Sequence, residues 1–233
     1  GALGLFMLTW LIFALPPTFK KLYSTSINII HKLNKDGFNS RNFSKRFRLL
    51  GSNLAHFGIL LLLIGHVFTT TLVDRTDPSH LVTLVKDQPI EHRGYDFIFT
   101  DVEKINSSDS EYPFSIGDGY IGIIIDVMKD GEKITQISPG MLRFTTGNSV
   151  SPRSEVDRFS TLYGDTIVIL DFYQSQELLE WMTFGQSEEV DRVRITVHSL
   201  PGSHLVWSGW VIIMLGSLFS LSSGDIRSSK EEE

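Results

Sequence analysis

The sequence predicts a membrane protein of α + β class: about three transmembrane helices, with an extracytoplasmic β-rich domain, a sandwich or open barrel, between the last two. Three observations carry this expectation. Apolar residues are clustered into three long runs, Gly1–Leu15, Leu50–Val73 and Leu205–Leu221, and a bilayer core takes about 20 apolar residues of helix to cross. A strongly basic segment separates the first two runs. The stretch between the second and third is instead built from short β-branched and aromatic runs bounded by turn residues.

In order along the chain, residues 1–17 read as a first transmembrane helix that begins directly in apolar sequence and is ended by Pro16-Pro17, the start of a truncated or processed chain. Residues 18–49 read as a basic loop in which Lys20, Lys21, Lys32, Lys35, Arg41, Lys45, Arg46 and Arg48 stand against the single acid Asp36. Short loops rich in Lys and Arg stay on the cytoplasmic or matrix side. Residues 50–73 form the second transmembrane helix, and it carries His56. Residues 74–203 then fall on the outer side, periplasmic or intermembrane-space, with 22 acidic residues against 11 Lys or Arg. Residues 204–222 are the last helix, and 223–233 a solvated tail on the inner side.

Within 74–203 the expected strands are Leu81–Val85, Tyr95–Val102, Ile121–Met128, Lys133–Ser138, Thr166–Phe172 and Val193–His198. Asp130-Gly131 between two of them is a strong two-residue hairpin signal, and it predicts a hairpin over Gly119–Pro139. Gln174–Phe184 reads as a short helix or an interfacial segment. The chain has no cysteine, so this domain is held by its core without disulfides, and thiol redox chemistry or a thiolate metal site is excluded within the chain.

Familiar catalytic motifs are missing or misplaced. Gly117-Asp118-Gly119-Tyr120-Ile121-Gly122 spells a dinucleotide fingerprint, yet that motif must follow a strand and open a helix, whereas this one leads into a strand. Its glycines read as a turn. No phosphate loop, zinc-protease helix or nucleophile elbow is present, and nothing suggests a nucleic-acid partner.

His56 is the residue that asks for an explanation. An imidazole inside a membrane helix is costly in lipid and normally faces a partner, a cavity or a cofactor. Packing between helices, a proton relay and metal ligation all fit, neutral imidazole being the commonest protein metal ligand. His66 lies ten residues on, about 15 Å along the helix, too far to ligate the same ion. His66 and His204 fall near the outer boundary, and His31, His80, His92 and His198 read as surface residues.

Several segments together resemble the C-terminal portion of the cytochrome c-type biogenesis protein CcmF family, a haem lyase component. Asn53-Leu54-Ala55-His56-Phe57-Gly58 is similar to the family's Leu-Ala-His-Leu-Gly helix, and Gly94–Val102 to its Gly-Tyr-x-Phe-x-Phe-x-x-Val strand. Pro139 to Arg143, Ser154-Glu155-Val156, Asp165-Thr166-Ile167 and Trp207-Ser208-Gly209 resemble further elements, over nearly the whole chain from about Gly51. The resemblance implies that His56 is an axial ligand of a membrane haem b, the metal-ligating and cofactor-binding residue of this chain, with the second ligand elsewhere. No catalytic residue is assigned.

The implied function is that of one component of a membrane haem lyase complex for cytochrome c maturation. It would assist covalent haem attachment to apocytochrome c and hold a b-type haem that reduces the haem iron. Its partners would be other haem lyase subunits, a haem chaperone and apocytochrome c, in a bacterial or archaeal plasma membrane or a mitochondrial inner membrane. The family's tryptophan-rich haem-handling segment is not matched here, so the expectation is a split or truncated form that is inactive alone. The alternative is a non-catalytic assembly or docking subunit of the haem-transfer machinery.

Overall fold

A computed structural model describes residues 2–36, 40–71, 73, 77–147, 149–171, 178 and 190–221. The chain divides into two compact units: 1–74 together with 200–233, and 75–199.

The first unit is helical. Helix α1 spans Ala2–Asp36, α2 spans Ser40–Thr71 and α3 spans Ser203–Leu221. Each contains a stretch long and apolar enough to cross a membrane, and the chain is accordingly an integral membrane protein.

Two expectations are corrected here. Helix α1 does not end at Pro16-Pro17, and the described part of 18–49 is helix rather than loop. Each proline removes a backbone donor and crowds the carbonyl four residues back. Membrane helices tolerate this because neighbouring helices and Ser or Thr side chains re-satisfy the freed groups. The carbonyls freed here are those of Ile12 and Phe13, and the Thr18 Oγ1 donates to the adjacent Ala14 carbonyl at 2.8 Å. The 35 residues of α1 rise about 52 Å, beyond a hydrocarbon core of about 30 Å, so the helix that carries Lys20, Lys21 and Lys32 outruns one bilayer.

Helices α2 and α3 meet through glycines spaced by sevens. Gly51, Gly58 and Gly65 of α2 face Gly216, Gly209 and the residue just before α3, Gly202. A Cβ added at Gly51 would come within 2.5 Å of the Gly216 carbonyl, and one at Gly58 within 2.8 Å of the Gly209 carbonyl. Lipid offers apolar side chains no drive to associate, so close backbone approach at small residues is what holds membrane helices together. Helix α1 packs on another face of α2. There Asn53, 5% exposed, donates from Nδ2 to Thr25 Oγ1 at 2.9 Å, Phe57 lies 5.9 Å from Phe19 between ring centroids, and Leu8 packs with Ile64 and Val67.

The second unit is β. Among the described residues ten strands run β1 Leu81–Val85, β2 Pro89–His92, β3 Tyr95–Asn106, β4 Gly119–Lys129, β5 Glu132–Ile137, β6 Gly140–Thr146, β7 Ser149–Glu155, β8 Asp157–Thr161, β9 Gly164–Leu170 and β10 Arg192–Pro201. They form a four-stranded sheet ordered β1-β10-β9-β8 and a six-stranded sheet ordered β2-β3-β4-β6-β7, with β5 also paired to β4.

The inward faces share one core. Leu84, Phe97, Phe99, Ile121, Ile123, Ile125, Val127, Met141, Val168 and Ile195 are fully buried in it, each such side chain contributing about 1.5–3 kcal/mol of burial. Burial alternates along β1, along Thr166–Leu170 of β9 and along Arg192–His198 of β10, as strands with one face on a core require. Of the expected segment Gln174–Phe184, only Leu178 is described, and it belongs to the same core; the rest lies outside the described residues.

The β4–β5 hairpin turns at Asp130 and Gly131, with φ of 52° and 83°, and Lys129 pairs with Glu132 across it. Positive φ at both central positions is the two-residue turn that matches strand twist. Gly117-Asp118-Gly119 leads into β4, with Gly117 at φ 88°. Asp118 fixes this turn by accepting from the Thr145 N–H, an interaction that holds its carboxyl below the usual range. A helix-opening phosphate loop is absent at this motif.

Candidate functional site

His56 takes its position from the glycine spacing. At 100° per residue, two positions from Gly58 is about 200° around the helix, so His56 is turned away from the face that meets α3. Asn53 and Phe57 occupy the face toward α1. The third face of α2 carries Ser52, His56, Ile59, Leu63, His66 and Thr70, all exposed within this chain, at the alternating three- and four-residue steps of one helical stripe.

The imidazole is fixed in a useful tautomer. His56 Nδ1 lies 2.7 Å from the Ser52 carbonyl. A carbonyl only accepts, so Nδ1 carries the proton and Nε2 keeps its lone pair. Metal-ligating histidines commonly donate the other ring N–H to such a group, which fixes the tautomer and raises ligand basicity. His56 is therefore preset as an Nε2 donor facing away from the rest of its own unit. His66 shares the stripe about 2.8 turns farther on, and its carbonyl accepts from Thr69 Oγ1 at 3.0 Å and Thr70 Oγ1 at 2.6 Å.

Among the described residues, no group of three or more His, Cys, Asp or Glu side chains is placed to hold a bare metal ion. A planar prosthetic group with an axial ligand needs only one donor from this chain, and His56 meets that requirement.

The β unit holds a second histidine group, and here the surface reading of His80 is corrected. His80 is 3% exposed. Its Nδ1 lies 3.1 Å from the Val197 carbonyl and 3.2 Å from Arg93 Nη2, so the ring tautomer decides whether it donates to the first or accepts from the second. The His198 ring is 4.6 Å away. His92 is half-buried, and burial holds its pKa below the ordinary imidazole value, with Arg93 and His80 adding repulsion. Single-sequence periodicity missed this group because its members come from three separate strand ends.

The other segments that carried the resemblance take structural positions. Of Gly94–Val102, Tyr95–Val102 is the first part of β3, and Gly94 with Arg93 makes the turn before it, both at positive φ. Glu155 ends β7. Asp165, 5% exposed, accepts from Ser160 Oγ at 2.6 Å and faces Arg158 at 3.4 Å. Gly140 pairs with Gly122, and the Tyr120 ring fills the space their missing side chains leave. Burial pushes the Tyr120 phenol up to about 12, so it serves as a hydroxyl donor to the Ser138 carbonyl. Gly209 of Trp207-Ser208-Gly209 is a helix contact.

No family model matches the chain, and no curated protein matches it. Among solved structures it is similar to the cytochrome c haem lyase CcmF, with a TM-score of 0.49 and 14% identity, over 86% of this chain and 29% of that one. The chain thus spans less than a third of the length of that protein. A likeness at this level decides nothing about activity.

Proposed function

We propose that this chain is one component of a membrane haem lyase complex for cytochrome c maturation, holding a b-type haem through His56. The observation that carries the reading is the tautomer and aim of His56: a basic Nε2 on the unpartnered face of an apolar helix, where an unligated imidazole is expensive. The resemblance of Asn53–Gly58 to a haem-ligating helix supplies the identity of the group. The residues fit it. His56 would hold the iron from its Nε2, Ile59 and Leu63 would line the ring with apolar surface, and a histidine from a partner helix would supply the second ligand for electron transfer.

Such a haem, when bound, would supply one-electron chemistry. The chain's own part is narrower. The Ser52 carbonyl holds the His56 proton on Nδ1, the glycine contacts with α3 fix which way α2 turns its stripe, and the lipid-length helix excludes water around it. The β unit, with its acidic excess, would meet basic surfaces of a haem chaperone or apocytochrome c, since a field of one sign raises encounter rates. We place that unit on the periplasmic or intermembrane-space side, from the basic residues flanking the first two helices.

The test is the absorption spectrum of the assembled complex. His56→Ala removes the b-type bands, while His66→Ala, about 15 Å along the helix, leaves them. Retention of normal bands and of cytochrome c maturation in His56→Ala defeats the reading.

A further inference from the structure

The β8–β9 hairpin turns through Leu162 and Tyr163, and these two side chains are 95% and 86% exposed. Thr161 pairs with Gly164 across the turn. Thr161 Oγ1 donates to the Gly164 carbonyl at 2.8 Å and accepts from the Tyr163 N–H at 3.3 Å, so the apolar pair is presented on a braced tip. A single exposed leucine calls for no explanation. A leucine and a tyrosine held side by side at the outermost point of a tight hairpin do.

The position of the tip in its own sheet suggests what it meets. Strand β9 is hydrogen-bonded beside β10, and Asp171 N–H donates to the Arg194 carbonyl at 2.9 Å. Only an antiparallel run from that pair keeps β9 opposite β10, and it brings Thr166 opposite Ser199. The same counting holds on the other side of β10, where Lys86 N–H donates to the Asp191 carbonyl in register with Leu81 and Thr196. The tip therefore lies at the end of the sheet from which β10 leaves the domain. His80, bonded beside Val197, and Arg93, bonded to His80, belong to that end as well.

From β10 the chain reaches α3, a candidate membrane span, through Gly202 alone. One residue spans at most about 3.6 Å, so the bilayer that α3 crosses begins close to where β10 stops. We infer that Leu162 and Tyr163 are an interfacial anchor, seated in the headgroup–acyl boundary of the bilayer that α3 crosses. Tyrosine is enriched at that boundary because its ring is apolar and its hydroxyl wet. Leucine supplies the burial that holds an interfacial contact, and Arg93 offers a cation to headgroup phosphates. This inference rests on α3 spanning the membrane and is independent of the haem reading.

The absence of cysteine makes the test clean. Leu162→Cys in the full chain takes one environment-sensitive fluorophore, and Ile116→Cys takes the same label on the loop at the far end of β3, where Ile116 is 47% exposed. Both are placed in phosphatidylcholine nanodiscs, with and without lipid carrying a nitroxide near the headgroup. The label at 162 should shift to the blue and lose most of its emission to the nitroxide lipid, while the label at 116 keeps its emission. Equal, weak quenching at both sites, with iodide reaching both, overturns the inference. A label at 162 shielded from iodide yet untouched by the nitroxide lipid also overturns it, and assigns the tip to a protein partner.

Discussion

Replacing Gly209 by alanine should loosen the helical unit, and by leucine should loosen it further. A Cβ at Gly209 would lie 2.5 Å from the Leu62 nitrogen and 2.6 Å from the Gly58 carbonyl, whereas ordinary contact begins at 3.4 Å. Both neighbours are backbone, so no side chain can swing aside, and α2 and α3 must part locally by about 0.9 Å. A gap of about 0.5–1 Å forfeits a quarter to a half of each dispersion contact. Overpacking of this kind costs about 1–3 kcal/mol. Alanine recovers about 1 kcal/mol through its better helix propensity, which leaves a net loss of up to about 2 kcal/mol. Leucine shares that recovery but adds three more carbons, for a further loss of about 1–3 kcal/mol. Reversible unfolding of the full chain in mixed micelles, followed by helical circular dichroism, measures both. Ser208→Ala, one residue away and exposed, is the comparison and should stay within about 0.5 kcal/mol. If both Gly209 variants also stay within that margin, α2 and α3 are not held by glycine contacts.

Three further outcomes are expected. Gly131→Val should cost the β unit about 1 kcal/mol or more, and through backbone strain alone, because nothing lies within 4 Å of the added Cβ and φ is 83°; an unchanged melting curve would place the turn elsewhere. His92 has its folded-state pKa held below 6.5 by burial, Arg93 and His80, against the opposing pull of Glu91, so the unfolded chain takes up its proton first. Stability should therefore fall as pH drops from about 7 to about 5, and His92→Asn should flatten that part of a melting-temperature profile; an unaltered profile would show that His92 is not the titrating group. A membrane-impermeant thiol reagent on intact cells should tag Ser107→Cys and leave Ser44→Cys untouched, and labelling of Ser44→Cys alone would invert the proposed orientation.

How much of this was legible in the sequence depends on the kind of signal. The six strands expected from β-branched runs are present, and in β1 and β10 the inward residues alternate, as in Thr-Leu-Val of β1 and Ile-Thr-Val of β10. Strand β7, Ser-Val-Ser-Pro-Arg-Ser-Glu, has no such alternation. It lies at the end of its sheet beside β6, where Pro152 is tolerated and no inward face needs to be apolar. The length of α1 was hidden by Pro16-Pro17, since a rule learned from water-exposed helices does not carry over to membrane helices, which tolerate proline.

At the site, the apolar helix around His56 was readable, but the direction His56 faces was not read. The signal was there: Gly51, Gly58 and Gly65 against Gly202, Gly209 and Gly216 repeat by seven in both helices. Such a repeat marks one face of a helix as a close contact and sends a residue two positions from Gly58 to the other side. The His80, His198 and Arg93 grouping depends on long-range register between strands, and no local pattern announces it.

The most direct test of the account is chemical rescue at His56. In the assembled complex, His56→Gly should lose the low-spin b-type spectrum, and added imidazole should restore it, because a free ligand can occupy the cavity the side chain leaves. His66→Gly under the same conditions should keep its spectrum with or without imidazole. A normal low-spin spectrum in His56→Gly before any imidazole is added would contradict the assignment of His56 as the axial ligand.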